Sequence, residues 1–350
     1  MTGPTSKALF GVGSLTERGT PVSRSAAERL AAEHWGIAGA ATPLPAEIDE
    51  NFRLDAAAGT FLLKVIPADQ DPATADLVTA VLLHLDGRGV ETQRLVPTGA
   101  GLPLADLLDA DGVARRARMT TFLDGQVLRS VAVDAELRRR LGATLARLAL
   151  ALRDFEHPGA GRDLSWDLRH AGRMSAMLAE LEPTESRAEL GECLRRFDAE
   201  VVPRLDRLPA QVVHNDLSRD NAVLTAGGEL GVIDFGDVVR TQRVNDLAVA
   251  MADHLEASTD PFGPALDVAA GYVEVAPLGE AELELLYALV RTRTVTRIVG
   301  GEWRAWRFPA NREYLSRNVE RLWEVLDRLP ARPASADAER IRALGAGSGR

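Results

Sequence analysis

Residues 211–237 hold the densest set of polar groups that chemistry could use. The stretch Gln211-Val212-Val213-His214-Asn215-Asp216-Leu217-Ser218-Arg219-Asp220-Asn221-Ala222-Val223-Leu224 sets a carboxylate, Asp216, five positions before an amide, Asn221. Thirteen residues later comes Asp234, in Ile233-Asp234-Phe235-Gly236-Asp237, behind the apolar run Gly231-Val232-Ile233. The short apolar runs read as strands and the polar residues between them as loops. Two carboxylates and an amide in such loops are the equipment of phosphoryl transfer. One carboxylate orients an acceptor hydroxyl and takes its proton, while an amide oxygen and a second carboxylate hold Mg²⁺ against the phosphates. Mg²⁺ favours hard oxygen ligands and keeps several waters, so few protein ligands suffice.

These loops need elements to hold them. The chain has 350 residues, which suggests two domains or two lobes of one fold at roughly 150 residues each. From about Glu47 to Leu123 the apolar period is near two. Asn51-Phe52-Arg53-Leu54 leads through Ala56-Ala57-Ala58-Gly59 into Thr60-Phe61-Leu62-Leu63-Lys64-Val65-Ile66, two strands joined by a turn. After Asp71-Pro72 the period changes, with Leu77, Val78, Val81, Leu82 and Leu85 on one helical face and Gly87 and Gly89 closing it. Val90–Pro97 and Ala114–Leu123 are further strand candidates. The remainder reads as helical: Asp134–Phe155, with Leu137, Leu141, Leu145, Leu148 and Leu152 in register, then His170–Leu181, Arg187–Leu205, Asp246–Glu256, Glu280–Val299 and Arg312–Leu329. The expected division is a sheet lobe over 1–123, a helical lobe over 124–332 and a mobile tail over 333–350, rich in Ala, Gly, Ser and Arg.

Composition removes several classes. A net charge of −10, from 41 Lys+Arg against 51 Asp+Glu, argues against a non-specific nucleic-acid binder. One cysteine, Cys193, excludes an intramolecular disulfide framework and a Cys-rich zinc site. Met1–Thr20 shows no signal-peptide pattern and no apolar run reaches ~18 residues, so no membrane span is expected. The expectation is a cytoplasmic protein, monomer or homodimer.

On these residues the chain resembles the kinase-like fold, and within it the aminoglycoside phosphotransferase/choline kinase superfamily. His214-Asn215-Asp216 with Asn221 looks like the H-x-D-x-x-x-x-N catalytic loop, and Asp234-Phe235-Gly236 like the metal-binding D-F-G. The resemblance implies an α+β, protein-kinase-like bilobal fold, with a small antiparallel-sheet N-lobe carrying one helix and a larger, mainly helical C-lobe. It implies Asp216 as catalytic base, Asn221 and Asp234 as Mg²⁺ ligands, ATP or GTP as co-substrate, and Lys64 on the α/β-phosphates. The family pairs that lysine with an acid on the following helix; Asp76 is the candidate here, with Asp69 and Asp71 as competitors. The hinge Met119–Leu123, with Thr121, Phe122 and Leu123, would meet the purine edge. His214 reads as structural, packing the catalytic loop. Asp246 reads either as a helix N-cap or, by the resemblance, as an acceptor for catalytic-loop N–H groups.

A lone D-F-G arises by chance, and Lys64 alone reads equally as an edge-strand charge. The order of all four motifs, each in its expected element, is far more specific. Gly11-Val12-Gly13 and Gly99-Ala100-Gly101 lack the further glycine of a dinucleotide site, and Ile48-Asp49-Glu50-Asn51 lacks the glycine of a phosphate-covering loop. Only twelve positions separate Asp234 from Asp246, leaving no room for the activation segment of a protein kinase, so a small hydroxylated substrate is expected. Glu47–Ile66, Thr120–Gly125, Asp163–Ala171 and Ile233–Ala248 resemble the hydroxylysine kinase branch, which implies amino alcohols or hydroxylated amino acids as acceptors. The alternatives are an aminoglycoside or other antibiotic O-phosphotransferase and a nucleotide-binding pseudokinase module.

Candidates for the acceptor pocket are Asp237, Trp166 and Asp167 for an ammonium group. Arg291, Arg297 and Trp303 lie in a segment, Arg291–Arg321, with eight arginines against three glutamates. That segment reads either as a solvated helix face or as a fork for a substrate carboxylate, with Arg293 among its spaced arginines. Trp166 reads equally as a core tryptophan.

Overall fold

The computed structural model describes residues 21–45, 49–109, 111–309 and 312–346. Met1–Thr20, with Gly11-Val12-Gly13, and Ile48 lie outside them, so the leader reading, that glycine pair and the first residue of the glycine-free loop are not described. Among the described residues no helix is long and apolar enough to cross a membrane.

The chain is mixed α+β, an antiparallel sheet followed by a mainly helical part. Helix α1 (Arg24–Trp35) opens it, capped by the Ser23 hydroxyl on the Ala26 N–H and closed by Gly36 at φ 68°. The expected N-lobe had one helix; α1 is a second. Its inward face is Ala27, Ala31 and Trp35, small residues that leave a faint apolar signal. It covers strands β1 (Gly39–Leu44), β2 (Glu50–Ala56) and β3 (Gly59–Ile66), where Phe52, Leu54, Leu63 and Val65 alternate inward. Helix α2 (Pro72–Leu85) follows, with Asp71 as N-cap and Pro72 in its first turn. Leu77, Val78, Val81, Leu82 and Leu85 of α2 join the core of the helical part. Strands β4 (Leu95–Val96) and β5 (Ala105–Leu108) both pair with β6 (Ala114–Thr121), giving the order β1-β2-β3-β6-β4. Val90–Pro97 thus supplies only a two-residue strand, with a bridge from Thr92 to Val232.

Two ribbons hold the polar loops. Strand β7 (Gly125–Val127) lies beside β9 (Ala222–Thr225), which pairs with β10 (Leu230–Val232). Strand β8 (Ala210–Val213) pairs instead with β11 (Val239–Gln242). Residues 214–221 therefore cross from one ribbon to the other, and residues 233–238 cross back beside them. The crossings are joined by Ile233 N–H donating to Asn221 O at 3.0 Å.

The larger helices are α3 (Ala135–Ala151), α4 (Glu185–Arg196), α5 (Arg243–Asp253), α6 (Gly263–Val275), α7 (Glu280–Arg307), α8 (Val319–Leu326) and α9 (Ser335–Ala346). The expected helix at His170–Leu181 is a 3-10 turn followed by one short helix, and Arg187–Leu205 is broken by a π-turn at Phe197–Val201. Within 333–350, expected as a mobile tail, Ser335–Ala346 forms α9, whose Ile341 is buried against the core. Helices α3 and α6 approach through a reciprocal glycine contact. A Cβ on Gly142 would strike Val268 O, and one on Gly271 would strike Arg139 O. Gly142→Ala and Gly271→Ala should each cost about 1–3 kcal/mol, lowering Tm by about 2–4 °C per kcal/mol. Gly161→Ala, where nothing lies within 4 Å, should stay within about 0.5 kcal/mol of wild type in the same thermal melts.

Candidate active site

A cleft of about 780 Å³ runs between the sheet and the helical part, lined by Lys64, Phe122, Asp216, Asn221, Asp234, Asp237, Arg293 and Arg297 among others. At the sheet end, Lys64 stands on β3 opposite Asn51 and Arg118. Its Nζ lies 2.8 Å from Asp49 Oδ2 and 3.4 Å from Asp234 Oδ1. Burial works against the charged amine, but the Asp234 and Asp49 carboxylates outweigh it and hold Lys64 above the ordinary range.

Asp76 is not the partner of Lys64. It sits on the outer side of α2 and takes Arg116 Nη1 at 2.9 Å, while Asp71 is occupied as the N-cap. The α2 residue nearest the neighbouring Arg118 is Thr79, whose hydroxyl accepts from that guanidinium at 3.2 Å. No acid from α2 reaches the lysine, and Asp49 takes its place. The register pairs Asn51 with Lys64, so Asp49, two residues earlier, is on the same side of the ribbon, where a diagonal neighbour reaches a long side chain.

Phe122 and Leu123 line the cleft with Leu62, Val223 and Ile233, an apolar slot. Thr121 lies outside that lining. Its N–H donates to Arg94 O at 2.8 Å and its hydroxyl accepts from Arg94 N–H.

The two crossings bring the polar groups together. Two non-glycine residues have positive φ among those described, Asn215 at 66° and Asp234 at 60°. Such strain persists only where surroundings fix it. Asp246, buried in the first turn of α5, accepts from His214 N–H at 3.3 Å and Asn215 N–H at 2.7 Å. The N-cap of α5 is Gln242, which removes that reading of Asp246. His214 is fully buried; Nδ1 faces Asp216 N–H and Nε2 faces Ile233 O at 3.0 Å, so the proton belongs on Nε2. Its ring meets Phe235 edge-on at 4.9 Å.

Asn221 Nδ2 donates to both Asp216 O and Asp216 Oδ2 at 2.8 Å. Both amide hydrogens are thereby used, and Oδ1 is what Asn221 has left for a cation. Asp216 Oδ1 accepts from Arg293 Nη2 at 3.1 Å. Burial raises the Asp216 carboxyl to about 6, with Arg293 opposing and Asp234 adding to the rise. Asp237 is pushed up to about 7 by burial and then by Asp216 and Asp234. Asp234 is held down, chiefly by Lys64. The amide oxygen of Asn221 and the carboxylate of Asp234 are hard oxygen donors of the kind a divalent cation takes. Among the described residues no group of three or more His, Cys, Asp or Glu could by itself hold a metal ion.

Of the acceptor-side candidates, Asp237, Trp166 and Arg297 line the cleft. The Arg304 guanidinium lies over the Trp166 ring at 5.5 Å. Asp167 does not face it: the buried carboxylate pairs with Arg169 at 2.7 Å and accepts from the Thr241 hydroxyl. Arg291 points away, to Cys193 Sγ at 2.8 Å and Leu329 O at 3.3 Å. Trp303 is buried, donating to Glu180 Oε2. The helical period explains this, since at about 100° per residue Arg291 stands nearly opposite Arg293, whereas Arg297 lies four residues on, above it. Asp49 and Asp253 are the site residues that the sequence candidates lacked, and Arg293, named there only among the spaced arginines, reaches Asp216 instead.

Asp253 ends α5. Its carboxylate takes Arg129 Nη2 at 3.1 Å, Arg219 N–H at 2.9 Å and Nε at 3.1 Å, and Arg297 Nη1 at 3.0 Å. Asp246 thus fixes the start of the 214–221 crossing and Asp253 its far half.

The profile of the phosphotransferase enzyme family, APH, matches residues 40–286. The chain belongs to the phosphotransferase enzyme family. Similar proteins include a hydroxylysine kinase of Mus musculus, 26% identical over 313 residues that cover 82% of this chain and 83% of that one. A homoserine kinase of Agrobacterium fabrum is 27% identical over 260 residues, covering 69% and 73%. Among solved structures, an amicoumacin kinase in complex with AMP-PNP, Ca²⁺ and Ami superposes with a TM-score of 0.65 at 17% identity, over 87% of this chain and 91% of that one. A microcompartment-associated aminopropanol kinase gives 0.61 at 19%, over 91% and 97%. This phosphotransferase is a small-molecule kinase with an alcohol group as acceptor.

In this phosphotransferase the Asp253 carboxylate is held far below the ordinary carboxylate range; burial opposes this, and Arg297, Arg129 and Arg219 overcome it. A depressed folded pKa gives stability that is present above the unfolded value and lost as pH falls below it. Asp253→Asn should lose about 3–5 kcal/mol at neutral pH. The gap to wild type should hold down to about pH 4 and narrow below it, as read from urea melts across pH.

Proposed function

We propose that this chain transfers the γ-phosphate of ATP or GTP to a hydroxyl of an amino alcohol or a hydroxylated amino acid, in the cytoplasm and with Mg²⁺. The observation that carries this reading is the convergence of Lys64, Asp216, Asn221 and Asp234 on one cleft, joined by the Asn221–Asp216 contacts at 2.8 Å and the Lys64–Asp234 contact at 3.4 Å. The names of the hydroxylysine and homoserine kinases among its relatives support the acceptor class.

On this reading the purine lies in the slot of Leu62, Phe122, Leu123, Val223 and Ile233. Lys64 neutralises the phosphates, and Asp49 gives up the lysine to them. Asn221 and Asp234 hold the divalent ion, which neutralises charge on the phosphate oxygens. Asp216 accepts the proton of the acceptor hydroxyl; Arg293 and Asn221 fix one carboxylate oxygen each and so set its direction. Asp237, an acid facing the same cleft, suits the ammonium group of such acceptors. The transition state of phosphoryl transfer is loose, so rate comes mainly from positioning and charge neutralisation.

Asp216→Asn should lower kcat by ~10²–10⁴-fold with nucleotide affinity kept, whereas Asp234→Asn should weaken metal–nucleotide binding as well. The decisive assay follows ADP or GDP release with hydroxylysine, homoserine, ethanolamine, choline and kanamycin. Turnover on the amino acids or amino alcohols is expected; turnover confined to kanamycin would refute the acceptor class.

A further inference from the structure

Beyond Asp216 the cleft is walled by one face of α7. Arg293, Arg297, Gly301 and Arg304 succeed one another at helical spacing, and all four line the cavity. A side chain at Gly301 would run into Val319, so α8 packs close against this face of the helix.

The charge here runs against that of the chain. Arg129, Arg219, Arg297 and Arg321 are grouped around two carboxylates, Asp253 and Asp220, in a protein whose net charge is −10. Arg321 donates to Leu255 O at 2.8 Å, and burial together with Arg219, Arg297 and Arg129 holds it below the ordinary guanidinium range. Four guanidinium groups on two carboxylates leave a local positive surplus.

Arg297 is where this surplus meets the cavity. It gives one N–H to Asp253 at 3.0 Å, and its other donors have no acceptor among the described residues. Asp253 is buried and holds the guanidinium at one corner. A planar group anchored at one corner, with donors left over, matches a carboxylate. The aromatic face of Trp166, under Arg304, borders the same space.

Resting on the phosphotransfer reading, we propose that the acceptor carries a carboxylate besides its hydroxyl and that Arg297, positioned by Asp253, binds it. The enzyme then acts on hydroxylated amino acids in preference to amino alcohols. An acceptor without the carboxylate leaves the remaining donors of Arg297 unused, and a site built around a polar group rejects analogues that lack it.

The test compares matched acceptors on the full-length protein with saturating Mg²⁺ nucleotide. Homoserine, threonine and hydroxylysine are each measured against their own amides and against the amino alcohols left by removing the carboxyl group. The acids should have kcat/KM at least about 100-fold higher. Arg297→Gln should bring that ratio close to one while nucleotide affinity, which reports folding, is unchanged. Ratios within about threefold, or a preference for the amino alcohols, would overturn the carboxylate site and leave phosphotransfer standing. Absence of transfer to every acceptor of both kinds would overturn the proposed acceptor class and this inference with it. If Arg297→Gln fails to fold, Arg297→Lys, which keeps a charge for Asp253 but loses the planar fork, should lower the ratio in its place; a ratio unchanged from wild type in a folded variant would overturn the Arg297 assignment.

Discussion

The site depends on how a buried loop keeps its backbone satisfied while turning its side chains outward. Residues 214–221 cross between two ribbons with Asn215 in the left-handed region, so their N–H groups find no regular ladder. Buried donors without acceptors cost about 1–3 kcal/mol each. Helix α5 supplies the acceptors: Asp246 takes His214 and Asn215, and Asp253 takes Arg219. The two acids are seven residues apart, about two helical turns or ~10 Å, a spacing that pins both halves of the crossing. With the backbone held, Asp216 and Asn221 stand toward the cleft and bond each other.

The second organising feature is the uneven charge along the cleft. Lys64 and Asp234 link sheet to helical part at one end, three carboxylates meet in the middle, and arginines line the far end. Arg293 belongs to both the second and third zones, because it is buried yet reaches Asp216. Opposite charges so graded favour a cation in the centre and anionic groups at each side of it, the distribution that a metal nucleotide and a carboxylate-bearing acceptor would complete.

The fold class and the polar loops were legible in the sequence because each motif is contiguous. His214–Asn221 and Asp234–Gly236 carry their own strand flanks, and the hairpin Asn51–Ile66 has a clear period of two. What was not legible depends on partners distant in the chain. Lys64 turned out to pair with Asp49 rather than Asp76, because the direction of α2 gives Asp76 to Arg116. Among the arginines of α7, composition pointed to the segment, but only the rotation of the helix separates Arg293 and Arg297, which face the cleft, from Arg291, which faces Cys193. Helix α1 hid for a different reason: apart from Trp35 its contact face uses Ala27 and Ala31, which allow close approach but leave little apolar signal.

The central claim is that Asn221 and Asp234 share a divalent ion bearing the phosphates that Lys64 contacts. Crystals grown with Mn²⁺ and a non-hydrolysable nucleotide, with anomalous data collected at the manganese edge, test it most directly. The account predicts a manganese peak bonded to Asn221 Oδ1 and an Asp234 carboxylate oxygen, with Lys64 released from Asp49 onto the phosphates. A peak elsewhere, or phosphates lying away from Lys64 while Asp49 keeps its contact, would contradict it.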